Sequence, residues 1–299
     1  MVQTDEFEVH RDHLLGVAYR MLGSRAEAED AVQEAWLRYA TNRPDDLADP
    51  RGWLTTVTAR ICLDVLRSAR VRRESYVGQW LPEPVVSRLP AAEPDPADRV
   101  ARDEEVSLAL LVVLDRLGPE QRVAFVLHDV FAVPFEEIAA ALGTSVPAAR
   151  QLASRARRAV ADGGVRHNRD RAEQQRVLAA FMDAAERGDI DGLLAVLAPD
   201  IVAIGDGAGA TRAPITGALR VARFLLNLVR QTRQAGVTVE PVLVNGDLGM
   251  LVDLRLPDGT TQRVVSAFAV ADGQITGVFN QLNPAKLTRV PGNGTGPRA

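Results

Sequence analysis

The stretch DPRGWLTTVTARICLDVLRSARVRR, residues 49–73, decides the fold of the first part of the chain. Asp49 is a favourable N-cap, and Pro50 suits the first helical position because the N–H that proline lacks would be unpaired there anyway. A helix is therefore predicted to begin here, with Arg60, Asp64 and Arg67 on one side. The other side is apolar at helical spacing and consists of Leu54, Val57, Ile61, Val65 and Leu66.

This helix ends in a basic strip made of Arg67, Arg70, Arg72 and Arg73. Two interpretations are open from these residues alone. The strip is either a contact for an anionic partner or the solvated end of a surface helix, where arginines favour the negative end of the helix dipole. The neighbouring sequence decides between them.

Composition places the chain among ordinary globular proteins. Its 299 residues are enough for about two domains, and 46% of them are hydrophobic and 25% charged. The net charge is −4, so any binding of nucleic acid must come from local basic patches. Lys286 is the only lysine, and this strong arginine bias resembles codon usage in a GC-rich genome, which weakens any argument from the number of arginines.

Cysteine content and hydropathy exclude some classes of protein. The single cysteine, Cys62, lies on the apolar side of the predicted helix and permits neither an internal disulfide nor a cysteine-based metal cluster. No apolar run reaches the roughly 20 residues that a membrane span needs, and the acidic start MVQTDEFE is not a signal peptide. We expect a cytoplasmic protein without a membrane contact, a metal or another cofactor.

Two helices are predicted to precede the opening stretch. The first carries one apolar stripe from Phe7 to Leu22 and ends at Gly23, and Ser24 with Glu27 forms a capping box that begins the second. A polar group of the second helix faces outward in part and consists of Asp30, Gln33 and Glu34. Residues 1–73 are thus predicted to be a compact helical domain.

The next segment, residues 74–103, reads as a linker rich in proline and acid. It contains WLPEP, residues 80–84, followed by Val85 and Val86. Trp80, Leu81 and these valines are too apolar for a linker that is surrounded by water. We therefore expect this part of the linker to be docked against another element.

Helices return in residues 104–164, where the stretch PFEEIAAALGTSVPAAR spans residues 134–150. A short helix, a glycine at the turn and a new helix capped by Ser145 have the spacing of a helix-turn-helix. No acidic residue interrupts the second helix between Val146 and Val160, which suits contacts with phosphates and base edges. A plain helical hairpin remains the alternative.

The last part of the chain, residues 170–290, is predicted to be a separate α+β domain. One long helix from Glu173 to Leu197, with a break at Gly188-Asp189, precedes a strongly antiparallel sheet whose hairpins turn at Asp258-Gly259 and Asp272-Gly273. The predicted strands are Ile201 to Ile204, Val237 to Val244, Met250 to Leu256, Val264 to Val270 and Ile275 to Phe279, interrupted by a helix at Ala218 to Gln231. Residues 291–299 are predicted to be a flexible tail.

Two blocks of sequence resemble regions two and four of bacterial sigma factors of the extracytoplasmic-function (ECF) type. They are AEAEDAVQEAWLR at residues 26–38 and LGPEQRVAFVLHDVFAVPFEEIAAALGTSVPAARQLASRARR at residues 117–158. The last domain resembles the SnoaL-like, NTF2-type cone fold. Sigma factors with this extension, the SigJ-like group, also carry WLPEP in the linker and an NPDKL-like motif near the end, here Asn283-Pro284-Ala285-Lys286-Leu287.

The resemblance implies a multidomain protein with two all-α sigma domains, a region 2 helical bundle and a region 4 helix-turn-helix, followed by an α+β SnoaL/NTF2-like cone. Its implied partners are core RNA polymerase and promoter DNA. The resemblance assigns polymerase binding to Asp30, Gln33 and Glu34. It assigns the minus-ten element to Trp53, Arg60 and Arg67 with the loop from Thr41 to Ala48, and the minus-thirty-five element to Arg150, Gln151, Ser154, Arg155 and Arg158.

We further expect the cone domain to pack on WLPEP and the NPAKL segment and to regulate the sigma domains. The residues expected in this contact are Trp80, Leu81, Pro82, Glu83, Pro84, Asp206, Asn283, Pro284, Lys286 and Leu287. Relatives often carry a DGGGK-like run where this chain has Asp206-Gly207-Ala208-Gly209-Ala210. The missing lysine removes a charge partner of Asp206. Many relatives also carry asparagine where Ile61 stands, which concerns promoter preference.

Two other functions compete with this interpretation. SnoaL-like cones include cyclases and isomerases with an aspartate as general base, for which Asp200 or Asp206 is a candidate, although no histidine lies in this domain to assist. We expect no catalysis, and binding of a small-molecule ligand in the cone remains an alternative. An ordinary helix-turn-helix repressor would leave residues 1–73 unexplained. The sigma unit is expected to be a monomer.

Overall fold

The computed structural model describes residues 2–44, 47–74, 78–89, 106–163, 166–168, 170–207, 213–232, 236–256 and 258–291. Within these ranges it describes all side chains except those of residues 2–5, 69–74, 231 and 232. Some predicted features lie outside this part of the chain: the side chains of Arg70, Arg72 and Arg73, part of the loop from Thr41 to Ala48, most of the linker after WLPEP, residues 208–210, and the tail from 292 onward.

The chain divides into two compact units. A helical unit consists of Met1–Ser75 and Val113–Gly163, and a sheet unit consists of Tyr76–Val112 and Gly164–Ala299. The WLPEP segment thus groups with the sheet unit. The two sequence blocks that resemble sigma regions two and four group together in the helical unit.

The helical unit begins with three helices, α1 (Val2–Leu22), α2 (Arg25–Asn42) and α3 (Pro50–Glu74). The predicted caps are present, because Ser24 Oγ accepts from the N–H of Glu27 and Asp49 Oδ1 accepts from the N–H of Gly52. The apolar stripes of the helices meet in one core, and its fully buried members include Leu14, Met21, Ala35, Tyr39, Leu54 and Cys62.

The second half of this unit contains the predicted helix-turn-helix. Helix α4 (Leu108–Leu114) leads into it from the sheet unit, α5 (Pro119–Phe125) continues as a π-turn over Val126–Val130, and α6 (Phe135–Leu142) and α7 (Val146–Ala161) follow. Gly143 joins α6 to α7 with a φ of +63°, a conformation that costs glycine little. Ser145 caps α7 by accepting from the N–H of Ala148.

The sheet unit contains seven strands in the order β1-β4-β5-β6-β7-β2-β3. The helices are α8 (Arg171–Arg187), α9 (Ile190–Val196) and α10 (Ala218–Thr232). The strands are β1 (Val86–Arg88), β2 (Leu197–Asp206), β3 (Ile215–Thr216), β4 (Val237–Val244), β5 (Asp247–Arg255), β6 (Thr261–Ala271) and β7 (Gln274–Gln281), and a 3-10 turn covers Pro284–Lys286.

The sheet is mixed, whereas the sequence predicted a strongly antiparallel one. Strands β4 to β7 form an antiparallel meander, but β7 pairs in parallel with β2, for example Phe279 with Ile204 and Gln281 with Asp206. Alternating hydrophobicity shows which face a residue occupies but not the direction of its neighbour. The crossover through α10 takes the chain to the far side of the sheet, and the meander then returns it beside β2.

The predicted break at Gly188-Asp189 is present and divides the predicted long helix from Glu173 to Leu197 into two helices. Gly188 ends α8 with a φ of +71°, and Asp189 caps α9 by accepting from the N–H of Gly192. Leu197 already belongs to β2, which is longer than the strand predicted over residues 201–204. Local glycine and cap signals therefore outweigh the continuous apolar period across this break.

Helices α8, α9 and α10 pack on one face of the sheet. The buried core between them includes Phe181, Leu193, Val221, Ile201, Phe268 and Val278. The opposite face carries Phe279, Gln281 and Asp206, all fully buried. Side chains on the two faces of β7 therefore contact different parts of the sheet unit, because successive residues of a strand point to opposite sides.

Candidate functional site

The exposed face of α2 presents the polar group that was predicted to bind polymerase. Asp30 and Gln33 are exposed, and Leu37, which lies one further turn along the same face, is 51% exposed. Glu34 is half-buried and pairs with Arg38 at 2.9 Å. The face thus combines an acidic group, an amide and one apolar side chain.

The three residues predicted to read the minus-ten element lie along α3. Trp53 is half-buried, with its ring centroid 5.8 Å from that of Tyr39, so its exposed edge is held in place by the core. Arg60 and Arg67 are exposed on the outward side. Arg60 donates to the carbonyl oxygen of Ala140 over 2.7 Å, in the first helix of the helix-turn-helix.

Arg67 is also bound to the second half of the helical unit. Its Nη2 and Nε donate to Glu120 Oε1 over 2.9 and 3.1 Å, at the beginning of α5. Both side chains of this pair are partly exposed, at 51% and 39%. The two arginines predicted to read the minus-ten element therefore both donate hydrogen bonds to the half of the helical unit that contains the predicted minus-thirty-five helix.

A buried arginine anchors the same contact. Arg122 is 4% exposed, donates to the carbonyl oxygen of Met21 over 3.0 Å and pairs with Asp115 at 2.8 Å. Met21 lies in the last turn of α1, where carbonyl groups lack helical partners and favour a cation. The contact between the two halves is thus specific and not only a meeting of surface charges.

Helix α7 presents the residues predicted to read the minus-thirty-five element. The buried face of this helix carries only small side chains, those of Ala149, Ala153 and Ala156, and all three are fully buried. Its outer face carries the five predicted side chains, of which only Ser154 is half-buried: Arg150, Gln151, Ser154, Arg155 and Arg158. Arg150 lies 4.0 Å from Glu136 and 5.5 Å from the ring of Phe135, so α6 positions it.

Four of the residues predicted to join WLPEP to the last domain meet in one cluster with Gln281, which was not predicted. We call this cluster the linker clamp: Trp80, Leu81, Asp206, Gln281 and Lys286. Asp206, at the end of β2, is fully buried. Its Oδ2 accepts from the N–H of Leu81 over 3.0 Å and from Lys286 Nζ over 2.7 Å. One carboxylate thus binds both the linker segment and the NPAKL segment.

Lys286 completes the linker clamp. Its ammonium also donates to the carbonyl oxygen of Leu81 over 2.7 Å and lies 4.2 Å from the centroid of the Trp80 ring. Asn283 caps the 3-10 turn beneath it by accepting from the N–H of Ala285. The sequence suggested that Asp206 lacks a charge partner because residues 206–210 contain no lysine. Lys286, the chain's only lysine, provides that partner.

Sequence reasoning missed two members of this region. Gln281 donates from Nε2 to the carbonyl oxygens of Leu81 and Pro82 and to Asp206, over 3.3–3.4 Å. Asn245 accepts from the N–H of Val85 over 3.1 Å, just before β1 joins β4. The signal in the sequence was an amide side chain next to positions that the strand pattern predicts to be buried. A buried amide requires hydrogen-bond partners.

The remaining residues of the predicted contact are also placed near it. Pro82, Glu83 and Pro84 are buried, although proline and glutamate are usually exposed in linkers. Leu287 is 7% exposed and follows the 3-10 turn. WLPEP is therefore a packed part of the sheet unit.

A cavity of about 560 Å³ lies between the sheet and helices α8 and α10. Its wall is mainly aliphatic and aromatic, and its polar groups are Ser266, Asn280 and Glu186. Neither Asp200 nor Asp206 is among the residues that line it. Asp200 is instead an exposed residue paired with Arg166 at 3.2 Å.

Comparison with known proteins assigns these elements. The model of Sigma-70 region 2 matches residues 7–72, that of Sigma-70 region 4 matches residues 107–160, and that of the SnoaL-like domain matches residues 178–278. The ECF RNA polymerase sigma factor SigJ of Mycobacterium tuberculosis is 46% identical, over 97% of this chain and 95% of its own. The chain belongs to the ECF RNA polymerase sigma factors.

Other relatives agree with this assignment. The probable ECF RNA polymerase sigma factor SigI of M. tuberculosis is 40% identical, over 94% of this chain and 93% of its own. The crystal structure of M. tuberculosis SigJ matches with a TM-score of 0.75 and 43% identity, covering 95% of this chain and 98% of that one. The predicted architecture of two sigma domains and a SnoaL/NTF2-like domain is confirmed.

The sigma-factor assignment gives the surfaces a common frame. Region 2 contains α1 to α3, and region 4 contains the helix-turn-helix. Trp80 and Lys286 of the linker clamp lie outside all three matched segments, so the family models alone do not point to it. Among the described helices of this sigma factor, none is long and apolar enough to cross a membrane.

Proposed function

We propose that this sigma factor binds core RNA polymerase in the cytoplasm as a monomer and directs it to promoters. The polar face of α2 with Asp30, Gln33 and Glu34 would contact the polymerase. Trp53, Arg60 and Arg67 would contact the minus-ten element. The outer face of α7 would enter the major groove at the minus-thirty-five element, where arginine and glutamine pair well with guanine and adenine edges.

One observation carries the promoter assignment. The buried side of α7 is made of three alanines, which brings the helix close to its support. Its outer side exposes five polar side chains without an acid among them: Arg150, Gln151, Arg155, Arg157 and Arg158. The outer side of such a helix can lie against a DNA duplex and donate hydrogen bonds to it.

The free protein is proposed to hold its promoter-binding residues in a closed arrangement. Arg60 and Arg67 donate to Ala140 and Glu120, which places region 4 against the side of α3 that carries both arginines. Regions 2 and 4 would therefore separate to let promoter DNA reach this side of α3. Binding to polymerase supplies two anchoring points for one chain and so favours the separated state.

The fused domain is proposed to modulate this process through the linker clamp. The linker is the only covalent connection between the two sigma regions, and Asp206, Gln281 and Lys286 bind three of its residues, Trp80, Leu81 and Pro82, to the sheet unit. Fixing WLPEP shortens the free part of the linker and limits how the two regions can be placed on polymerase. The NPAKL segment therefore acts on promoter output through the linker.

Run-off transcription tests the proposal. Purified core polymerase and a promoter upstream of the protein's own gene should give a defined transcript only when the full chain is added. Arg155→Ala with Arg158→Ala should reduce that transcript with core binding unchanged, whereas Arg187→Ala, an exposed arginine far along the sequence in α8, serves as the control. Failure of the full chain to bind core polymerase would overturn the proposal.

A ligand-binding role of the fused domain is a second candidate, and catalysis is not supported. Neither of the two aspartates considered as the general base of a cyclase or isomerase lines the cavity, and Asp206 is bound by Lys286 and Leu81. The carboxylate that does line the cavity, Glu186, has an interaction partner of its own. We infer binding without turnover. Turnover of a polyketide or ketosteroid substrate by the full chain would contradict this inference.

A further inference from the structure

The cavity of the fused domain has the size and lining of a site for a small organic molecule. Its volume of about 560 Å³ lies in the usual range for ligand pockets, roughly 300–1,000 Å³. The walls include Phe181, Met182, Leu225, Met250, Val252 and Phe268. At the rim, Leu228, Val237 and Val239 expose 38–43% of their surface. A molecule entering there would cover these apolar groups.

The polar floor of the cavity restricts the chemistry of that molecule. Ser266 and Asn280 lie directly opposite each other on β6 and β7, and Ser266 Oγ donates to Asn280 Oδ1 over 2.8 Å. Among the described residues, the amide nitrogen of Asn280 has no other hydrogen-bond partner. Its two N–H groups therefore suit an acceptor on the ligand, such as a carbonyl oxygen.

Charge restricts the ligand further. Glu186 is the only ionisable residue in the described lining, which contains no lysine, arginine or histidine. An anionic ligand would find no cation among the described lining residues, which disfavours fatty acids and other anions. A neutral apolar molecule with one hydrogen-bond acceptor fits best.

Two consecutive residues of β7 contact the cavity and the linker clamp. Asn280 points into the cavity, and the next residue of β7, Gln281, points to the opposite face, where its amide binds Leu81, Pro82 and Asp206. Because Asn280 and Gln281 share a peptide unit, a ligand that shifts the main chain at Asn280 also shifts Gln281.

We propose that the cavity binds a neutral, apolar small molecule through Asn280, and that β7 transmits its occupancy to WLPEP. This inference rests on the proposed function only in giving the linker clamp a regulatory role. Ligand binding would change the order of the segment that connects regions 2 and 4. The SnoaL-like domain would then be the sensor of this sigma factor, placed in the same chain as the part it controls.

Ligand binding in the cavity is tested with the full chain and the fluorescent probe Prodan, a neutral naphthalene with one ketone. Saturable 1:1 binding with a blue-shifted emission is expected. Val252→Phe fills the cavity and should weaken binding by at least about tenfold, and Asn280→Leu by about three- to tenfold through loss of one hydrogen bond. Thr238→Phe, which adds the same ring to the outer face of β4, should stay within about twofold.

An anionic naphthalene, 1-anilinonaphthalene-8-sulfonate, should bind at least about tenfold more weakly than Prodan because no cation lies among the lining residues that the structure describes. Absence of saturable Prodan binding, equal binding by the Val252→Phe variant, or preference for the anion would each overturn the proposed site. None of these measurements involves polymerase, so their outcome is independent of the transcription assay that tests the proposed function.

The transmission half is tested by hydrogen exchange of the same full chain. Saturating Prodan should change the exchange rate of amides in residues 78–89 by at least about twofold. The Gln281→Leu variant should bind Prodan as the original chain does but lose this change. Prodan binding in the cavity without any change in residues 78–89 would overturn the coupling.

Discussion

Lys286 Nζ lies 2.7 Å from Asp206 Oδ2, and this ion pair joins the last described segment of the sheet unit to the end of β2 across a separation of 80 positions. Asp206 is fully buried and Lys286 is 17% exposed in its side chain. The ammonium also binds the carbonyl oxygen of Leu81 and faces Trp80. The pair is therefore the point where linker, sheet and NPAKL segment meet.

Removal of one partner should be far more costly than removal of both. Lys286→Met leaves the Asp206 carboxylate buried without its cation, and we expect the free energy of unfolding of the sheet unit to fall by about 3–5 kcal/mol. The double variant Lys286→Met with Asp206→Asn should recover part of this loss. Hydrogen exchange of β2 and β7 amides measures the change.

The matched control is the exposed pair of Asp200 with Arg166, whose side chains are 62% and 53% exposed. Asp200→Asn should alter the stability of the sheet unit by no more than about 1 kcal/mol, since water screens such pairs. A loss below about 1 kcal/mol for Lys286→Met as well would show that the pair does not stabilise the unit.

Release of Arg67 from region 4 should raise transcription. Glu120→Gln removes the charge that holds the Arg67 guanidinium, and because the pair is partly exposed we expect stability to change by less than about 1 kcal/mol. The same free energy shifts the equilibrium toward the open arrangement, so run-off transcript should increase by up to about fivefold.

Exchange of the two charges provides the control for that experiment. Arg67→Glu with Glu120→Arg restores the ion pair but removes the arginine from α3, so it should restore closure and lower transcription. If Glu120→Gln reduced the transcript, the contact between Arg67 and Glu120 would not be inhibitory, and the proposed closed arrangement would be wrong.

Local signals in the sequence were enough to predict the helical unit. Ser24, Asp49 and Ser145 are caps whose side chains bond backbone N–H groups three residues on, and Gly143 permits the left-handed turn of the helix-turn-helix. Each of these effects acts within one helical turn. A single sequence is therefore sufficient to locate these elements and their outward faces.

The linker clamp could be predicted only in part. The apolar character of Trp80 and Leu81 indicated that the linker docks, and the family resemblance indicated the NPAKL segment. The pairing of Asp206 with Lys286, the role of Gln281 and the parallel register of β2 with β7 depend on long-range topology. Residues this far apart carry no periodic signal that would identify them as neighbours.

Acid should destabilise the helical unit through His13. Burial of the ring, followed by the charges of Arg51, His10 and Arg20, lowers the pKa of His13 from the ordinary value of 6.5 to about 4. Its Nδ1 accepts from Arg51 at 3.2 Å, and its Nε2 lies 3.1 Å from Thr55 Oγ1, contacts that suit the neutral ring.

The unfolded chain binds a proton at His13 below a pH of about 6.5, whereas the folded chain does not until about pH 4. Stability therefore falls as the pH decreases through this window. Because solvent reaches the ring in part, we expect a loss of about 1–2 kcal/mol. Thermal unfolding between these pH values should show a smaller slope for His13→Gln, and an unchanged slope would exclude His13 as the cause.

The Cys62 thiol should be inert in the folded protein. It is completely buried, and this burial raises the pKa of the thiol well above its usual range. The thiolate is the reactive form, so Ellman's reagent should modify Cys62 only as fast as the helical unit unfolds. Cys62→Ser with Ser68→Cys, which moves the thiol to an exposed position of α3, should react rapidly, and fast reaction of the original chain would contradict the packing of this core.

The exposed face of α2 should determine affinity for core polymerase. Asp30→Arg reverses the charge of an exposed side chain, and we expect binding to core polymerase to weaken by about tenfold or more, mainly through slower association. The effect should shrink as salt increases, because the charge acts through solvent. Leu37→Ala should weaken binding without this salt dependence, since its contribution is apolar burial.

Fluorescence anisotropy with labelled protein measures these affinities at two salt concentrations. Glu8→Arg makes the same change of charge on an exposed position of α1 and should leave the affinity within about twofold. Equal weakening by Glu8→Arg and Asp30→Arg would mean that net charge governs the encounter. In that case the face formed by Asp30, Gln33 and Leu37 would not be the polymerase contact.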